Sequence, residues 1–334
     1  MSSTWLYGIE VLSPFPLFDT PTPAAAAPGE HAAIRLQPLE NTAADAGVHP
    51  IAAEEDCLHP NHADTRSSEE VRTVTSHLGQ GQLGEQLSFQ LTHGRQLSLY
   101  SDRPLAASAP GQPWCLEVDA VVRFHWQSGE QLIHYELLDG GNRQLLVFWF
   151  THIFLPLHLT LERGYDFLHA AAVEMAGGPV LFLAPSTGGK STLADHCLQR
   201  GHALFSDDKV ATFREHGEYW AAPSHPHHRP WREFEVLGQP VKQFAQQANP
   251  IKAIYCLQTG EPGSPIAINE VTGFRKFEEL LPNYLFNFDY LRAVRLAWLG
   301  RMAGSVPVYR LRRPWGLSQL QQTYLALHAH ASGL

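Results

Sequence analysis

The sequence predicts an α/β protein with a β-rich N-terminal region and a C-terminal α/β domain built around a glycine–lysine–serine loop. Three observations predict this fold. Residues 87–137 alternate short apolar runs with turn residues, as sequential strands do. The apolar run Val180–Leu183 leads through a Gly-Gly-Lys-Ser loop into a helical segment. The run His202–Ser206 then ends in the aspartate pair Asp207-Asp208.

The composition divides the chain into two parts. We place the boundary near Arg163-Gly164, so that residues 1–163 form the β-rich region and residues 164–334 form the α/β domain. Residues 20–82 are rich in Ala, Pro, Glu, Asp, Ser and His and contain few aromatic side chains. Such a segment buries too little apolar surface to offset the entropy of ordering it. We therefore predict a long, partly disordered insertion at about 20–82.

Charge and cysteine content restrict the function classes. The chain of 334 residues has 24 basic and 33 acidic side chains and a net charge of -9, which argues against nucleic acid or an anionic membrane as the main partner. The four cysteines form no C-x-x-C pair, so a reducing cytoplasm is the expected location. The apolar stretch 145–161 is expected to be a buried strand leading into a helix. His225, His227 and His228 are interpreted as an ordinary loop because proline interrupts their spacing.

The α/β domain is expected to follow a strand–turn–strand–loop–helix–strand order. Its predicted elements are the strands Phe167–Met175, Val180–Leu183 and His202–Ser206, the turn Ala176–Pro179, and the helix Ser191–Arg200 ended by Gly201. If the turn closes a hairpin, Val180 faces Met175 and Ser186 faces His169. His169 would then lie beside the loop, where it could contact a phosphate oxygen or an aspartate, or could simply pack at the strand end.

The loop Ala184–Thr192 matches the phosphate-binding pattern G-x-x-x-x-G-K-[ST] except that Ala184 stands in the first glycine position. Backbone N–H groups and the positive end of the following helix are expected to hold phosphate oxygens. Lys190 is expected to reach the β- and γ-phosphates of a nucleotide, and the Ser191 hydroxyl can ligate Mg²⁺. The predicted nucleotide-binding residues are Ser186, Thr187, Gly188, Gly189, Lys190, Ser191, Thr192 and Arg229.

The aspartate pair is expected to face the same phosphates. A right-handed strand–helix–strand unit brings both strand ends to one edge of the sheet, where ligands bind. One carboxylate can then hold Mg²⁺, and the other can accept the proton of an attacking hydroxyl. The alternative is a surface turn in which the aspartates only cap the chain. Arg229 and Arg232 are candidates for positive charges near the phosphate, and Arg292, Arg295 and Arg301 are expected to line a solvated helix face.

These motifs resemble the HPr kinase/phosphorylase superfamily, specifically its diverged serine-kinase-like branch, which includes lasso-peptide precursor kinases. The resemblance rests on Leu168–Val173, the loop Ala184–Thr192 and Arg200–Asp208, in that order and at similar intervals. It implies an HPr-kinase-like C-terminal domain with Asp207 as catalytic base and His169 assisting it. It also implies that Lys190 binds the phosphates and that Ser191 and Asp208 lie near Mg²⁺.

The resemblance implies ATP-dependent transfer of a phosphoryl group to a hydroxyl. Serine of a peptide or protein, such as a ribosomal peptide precursor, is the expected acceptor, with ATP and Mg²⁺ as cofactors. No nucleic acid or membrane partner is expected, and a homo-oligomer stays open because the relatives are often oligomeric. Two alternatives remain: a small-molecule kinase, and a nucleotide-gated binding protein that transfers no phosphoryl group.

Overall fold

A computed structural model describes residues 1–19, 32–39, 84–90, 95–103, 109–230, 233–286 and 288–334. The fold is a mixed α/β arrangement of several sheets and helices. Most of the predicted insertion 20–82 lies outside the described residues. Within it, however, Ile34–Pro38 forms a strand in which Ile34 and Leu36 are fully buried. The insertion is therefore ordered at these residues, because their alternating apolar side chains supply one face of a sheet.

The N-terminal strands form one eight-stranded sheet. They are β1 (Ser2–Leu6), β2 (Ile9–Ser13), β3 (Ile34–Pro38), β4 (Gly84–Gln90), β5 (Gln96–Ser101), β6 (Pro113–Val118), β7 (Val122–Gln127) and β8 (Leu132–Leu137). Their order is β1-β2-β3-β8-β7-β6-β5-β4, and β3 runs parallel to both β2 and β8. Tyr7 and Gly8 join β1 to β2 with φ of 53° and 76°, as a two-residue hairpin turn requires.

One continuous helical segment follows this sheet. It consists of α1 (Arg143–Trp149), a π-helical turn (Phe150–Phe154) and α2 (Leu155–Glu162), so the predicted strand at its start is wrong. The segment is long and apolar enough to cross a membrane by length and composition, but 78% of its most apolar window is buried inside the protein. Its Phe154 ring stacks on Phe124 of β7 with ring centroids 4.4 Å apart, as expected for a core helix.

The second half of the chain contains twelve strands and four further α-helices within the described residues. The strands are β9 (Asp166–Leu168), β10 (Ala170–Met175), β11 (Gly178–Leu183), β12 (Leu204–Ser206), β13 (Val210–Glu215), β14 (Glu218–Ala222), β15 (His227–His228), β16 (Gln239–Pro240), β17 (Asn249–Pro250), β18 (Ala253–Gly260), β19 (Ala267–Glu270) and β20 (Val308–Pro314). The helices are α3 (Lys190–Leu198), α4 (Phe274–Leu280), α5 (Arg292–Ser305) and α6 (Leu320–Ser332).

A six-stranded sheet with the order β12-β10-β11-β18-β20-β19 forms the centre of this half. Strand β11 is parallel to β18, and β18 is parallel to β20. Strand β10 is antiparallel to both β11 and β12, so these two run in the same direction. The carboxyl ends of β11, β12, β18 and β20 therefore lie at one edge. The prediction that the loop and the aspartate pair share an edge is confirmed, with β10 inserted between their strands.

The hairpin β10–β11 has a different register from the predicted one. Met175 pairs with Gly178, so the turn is the two residues Ala176 and Gly177, which have φ of 53° and 86°. The predicted single strand Phe167–Met175 is divided at His169, because β9 belongs to a separate four-stranded sheet of order β17-β14-β13-β9. The predicted pairing of His169 with Ser186 is therefore wrong.

Burial on both faces explains why β11 is apolar throughout. Val180 and Phe182 pack in the cluster that includes residues of α3 and α6, whereas Leu181 and Leu183 pack in the cluster that includes residues of α5. All six residues of β11 are buried, as expected for a strand inside a sheet covered on two sides. The strand thereby holds the loop that follows it at a fixed place on the sheet edge.

Candidate functional site

The loop between β11 and α3 has the backbone shape of an anion cradle. Thr187 and Gly189 have positive φ of 63° and 82°, whereas Ala184 does not, which explains how alanine fits the first motif position. Gly189 is the residue that caps α3, so the first unpaired N–H groups of the helix open onto the loop. Ser186 and Thr187 are exposed at the tip of the loop. Backbone donors and the helix dipole therefore favour an anion here.

Both glycines of the loop are required by their surroundings. A Cβ atom at Gly188 would lie 2.6 Å from the Cβ of Ala184 and 3.0 Å from the carbonyl oxygen of Pro185. A Cβ atom at Gly189 would meet the guanidinium of Arg313, and the φ of 82° already disfavours a side chain. The loop is thus closed tightly on itself on one side and covered by an arginine on the other.

Lys190 and Ser191 begin α3 and place a cation and a hydroxyl at the loop. The Lys190 side chain is buried, and its Nζ donates to the carbonyl oxygens of Ala184 at 2.6 Å and Pro185 at 3.3 Å. The Ser191 Oγ donates to Oδ1 of Asp207 at 3.2 Å. Thr192 follows in the same turn and is partly buried. The structure therefore brings the loop and the aspartate pair together.

Asp207 lies at the end of β12 and is almost fully buried. Its Oδ2 lies 2.9 Å from Nδ1 of His228 and accepts the backbone N–H of Arg229 at 2.9 Å. Burial by itself would raise the pKa of this carboxyl, but the contacts with His228 and with the Arg229 N–H outweigh burial and hold the pKa below its ordinary value. Asp207 is therefore an ionised carboxylate with both oxygens engaged by neighbouring groups.

Asp208 points into a different, more open environment. Its Oδ1 lies 3.3 Å from Nε2 of His169, and its Oδ2 lies 3.4 Å from Nζ of Lys209 and 3.8 Å from Nη2 of Arg229. Its side chain is 16% exposed, against 5% for Asp207. Its φ of 75° is unusual for a residue other than glycine and marks a backbone held in place by its surroundings. A carboxylate with three basic neighbours and an open side can meet a second molecule.

The contacts of the two carboxylates differ from the roles that the resemblance implies. His169, implied to assist Asp207, lies against Asp208, and Ser191, implied to share Mg²⁺ with Asp208, lies against Asp207. The reason is geometric. Asp207 directly follows β12, and its side chain lies against Ser191 at the start of α3. The left-handed backbone at Asp208 directs the next side chain toward His169 instead. His169 is fixed between β9 and β10 by its N–H, which donates to the carbonyl oxygen of Asn283 at 2.7 Å.

The structure adds residues that the sequence did not single out for this site. They are His228, Lys209 and Arg313. The sequence predicts an ordinary loop at His228, whereas the structure places it in β15 with its Nδ1 2.9 Å from Oδ2 of Asp207. Arg313 is the last residue but one of β20, and its Nη2 donates to the carbonyl oxygen of Gly188 at 3.3 Å. Nothing in the sequence indicates that β20 ends beside the loop. The position of Lys209, directly after the two aspartates, is a signal that sequence reasoning could have used. Arg232 lies outside the described residues.

The donor set at the site fits Mg²⁺. The Ser191 hydroxyl and the Asp207 and Asp208 carboxylates offer the oxygen ligands that this ion prefers. In the part of the chain that the structure describes, no group of three or more His, Cys, Asp or Glu residues can hold a metal. An ion at the loop would therefore take its remaining ligands from phosphate oxygens and water, as Mg²⁺ does at nucleotide sites.

Comparison with solved structures gives distant structural likenesses. The structure is similar to that of the Hpr(Ser) kinase/phosphatase from Coxiella burnetii, with 14% sequence identity over 49% of this chain and 95% of that chain and a TM-score of 0.30. A likeness at this TM-score carries no argument about the site. No protein-family model matches the sequence. No curated protein matches it either.

Proposed function

We propose that the protein is an ATP-dependent phosphotransferase that moves the γ-phosphoryl group of ATP to a hydroxyl group. The observation that supports this most directly is the convergence of Lys190, Ser191, Asp207 and Asp208 at one sheet edge, beside a loop shaped for anions. Phosphoryl transfer needs little covalent chemistry from a protein. It needs positive charge and N–H donors on the phosphates, and a carboxylate that positions the acceptor.

The residues divide the reaction between them. Loop N–H groups and Lys190 bind the β- and γ-phosphates, and the lysine leaves the loop carbonyls for the more negative phosphate oxygens. Ser191 and a carboxylate of the aspartate pair would hold Mg²⁺, which would supply positive charge beside those phosphates. The acceptor oxygen forms a bond to the γ-phosphorus while the bond to the β,γ-bridging oxygen breaks. ADP leaves with that electron pair, and the proton of the acceptor hydroxyl goes to a carboxylate of the aspartate pair.

We assign the proton-accepting role to Asp208 and the metal-side role to Asp207, the reverse of the roles implied by the resemblance. Asp207 is buried against Ser191, the arrangement in which a loop hydroxyl and a strand-end aspartate share Mg²⁺. Asp208 is the more exposed carboxylate, so an acceptor can reach it. His169, 3.3 Å away, is a positioning residue that can hold the Asp208 carboxylate in place.

A comparison of Asp208→Asn with Asp207→Asn tests this assignment, with MgATP affinity and single-turnover transfer measured for each. Asp208→Asn should keep MgATP affinity within about twofold and lose roughly 10²- to 10⁴-fold in transfer rate, the usual value of a general base. Asp207→Asn should weaken MgATP binding and shift its dependence on Mg²⁺ concentration. The opposite pattern would return the base role to Asp207. Transfer at the wild-type rate by both variants would refute the proposed site.

We further propose that the acceptor is a serine hydroxyl of a peptide or of another protein. We also propose that the enzyme is cytoplasmic and has no nucleic-acid or membrane partner. This finer assignment is supported by the sequence resemblance described above. Transfer from γ-labelled ATP should be measured against serine-containing peptides, including ribosomal peptide precursors, and against the same peptides with Ser→Ala. Small hydroxylated metabolites form the second panel. Label on metabolites alone would contradict a peptide acceptor while leaving the phosphotransferase intact.

A further inference from the structure

The order of strands in the six-stranded sheet sets the direction in which a bound nucleotide extends along the sheet edge. Strand β11, which carries the loop, is separated by β10 from β12 with the aspartate pair on one side, and by β18 from β20 on the other. In the proposed function, the γ-phosphate faces the aspartate pair. The rest of the nucleotide must then extend over Gly188 and Gly189 toward the end of β20. The residues at the end of β20 are therefore the ones that meet the nucleoside half of the molecule.

Arg313 is a buried cation at this place. It is 5% exposed, and its buried Nε has no hydrogen-bond partner. Among the described residues, no carboxylate lies within ion-pair distance of its guanidinium, and burial lowers its pKa. Its Nη2 reaches only as far as the carbonyl oxygen of Gly188, at 3.3 Å. A buried guanidinium without a counter-charge is costly, and an anion over the loop would supply the missing charge.

Trp315 lies next to this arginine and over the loop. The Arg313 guanidinium lies 5.5 Å from the centre of the Trp315 ring, close enough for a cation–π interaction. A Cβ atom built on Gly189 would be 3.6 Å from the edge of the Trp315 indole. The side chain is nevertheless 57% exposed, which leaves a large aromatic surface open beside the phosphate loop. Aromatic side chains in such positions bind nucleobases by stacking.

We propose that Arg313 and Trp315 form the nucleoside side of the ATP site. Arg313 contacts the phosphate nearest the ribose, and the Trp315 indole stacks on the base. This inference rests on the proposed function, because it takes the direction of the nucleotide from the position of the aspartate pair. Stacking does not distinguish one base from another, so the subsite accepts ATP and GTP alike unless residues beyond the stack discriminate.

The test separates the nucleoside from the phosphates by using two probes, ATP and inorganic tripolyphosphate. Affinities for both are measured by calorimetry with Mg²⁺ for the wild type, Trp315→Ala and Trp315→Phe. Leu317→Ala is the matched control, since this side chain is 72% exposed and only two residues away. Trp315→Ala should weaken ATP binding by roughly 5- to 150-fold and leave tripolyphosphate binding unchanged. Trp315→Phe should keep most of the affinity, and Leu317→Ala should keep all of it.

The arginine is tested separately because it is buried. Arg313→Gln, checked for folding by its melting temperature, should weaken ATP and tripolyphosphate together, since both carry a phosphate at that position. Equal loss of both probes in Trp315→Ala would show that the indole only supports the loop and would overturn the proposal, as would no loss at all. Failure of the wild type to bind either probe would remove the phosphate site and this inference with it. Selective loss of ATP in a protein that transfers no phosphoryl group would support the subsite and refute the phosphotransferase.

Discussion

Replacing Gly188 with alanine should disable the phosphate loop through a single steric contact with Ala184. The new Cβ would lie 2.6 Å from the Cβ of Ala184, whereas non-bonded carbons rest about 3.5–4.0 Å apart, so the overlap is about 1 Å. Both atoms belong to a short loop held by β11 and α3, and the partner atom is not the end of a flexible side chain. The loop must open, and its N–H donors then no longer converge on one phosphate group.

The expected cost follows from the size of this overlap. Forcing a methyl group into a closed site costs typically about 1–3 kcal/mol, which corresponds to roughly 5- to 150-fold weaker MgATP binding if the cost appears on binding. The rest of the domain should remain folded, because the loop lies at the sheet edge and outside the main packing of β11. Calorimetric titration with MgATP measures the affinity, and circular dichroism and thermal melting verify the fold.

The double variant Ala184→Gly/Gly188→Ala turns this into a test of mechanism. Removing the Ala184 Cβ removes the 2.6 Å contact and leaves the carbonyl oxygen of Pro185, at 3.0 Å, as the nearest neighbour. The double variant should therefore bind MgATP more tightly than Gly188→Ala alone, although Ala184→Gly by itself brings no gain. Strictly additive effects would refute the reasoning, because two groups in direct contact must show coupling.

Three further predictions test the electrostatics and the core. Burial raises the pKa of Asp166 to about 7, so the folded state holds a proton that the unfolded state loses near pH 4. The free energy of unfolding should therefore fall by at most about 4 kcal/mol as the pH rises from 4 to 7. Asp166→Asn should abolish this pH dependence in urea titrations. Phe124→Ala should cost about 3–5 kcal/mol of unfolding free energy, while Phe274→Ala, at 73% exposure, should change it by less than about 0.5 kcal/mol. His228→Phe removes a group that lowers the pKa of Asp207, so the acid limb of MgATP binding should move to higher pH in affinity measurements. An unmoved limb would show that His228 does not govern this carboxylate.

Local patterns in the sequence were sufficient to predict the loop, the helix after it and the shared edge. The glycine–lysine–serine motif encodes its own backbone shape, and Gly201, with φ of 89°, ends the turn after α3 as predicted. These features depend on neighbours within a few residues. The register of the hairpin failed because a turn of two residues and a turn of four are equally compatible with the segment Ala176–Pro179.

Contacts between distant segments could not be predicted in the same way. That β10 lies between β11 and β12 depends on strand pairing across the whole domain, and so does the arrival of Arg313 at the loop. Helix α4 shows the same limit, because Phe277 packs against the cluster that contains Leu280, whereas Phe274, one turn earlier, is 73% exposed. Periodicity identifies a face but not the element that covers it, since the cover comes from elsewhere in the chain.

Two buried arginines show that location relative to the sheet edge, more than burial, distinguishes a binding residue from a core residue. Arg295, predicted on a solvated face, is 4% exposed and lies over the rings of Tyr284 and Phe288 at 5.0 Å and 5.3 Å. Burial lowers its pKa to about 10, and the Asp166 carboxylate partly opposes that shift. Its charge is therefore stabilised inside the protein by two aromatic faces and, once Asp166 has lost its proton, by a carboxylate. Arg313 lacks such a carboxylate among the described residues and lies beside the phosphate loop, so in the proposed subsite a ligand phosphate supplies its counter-charge.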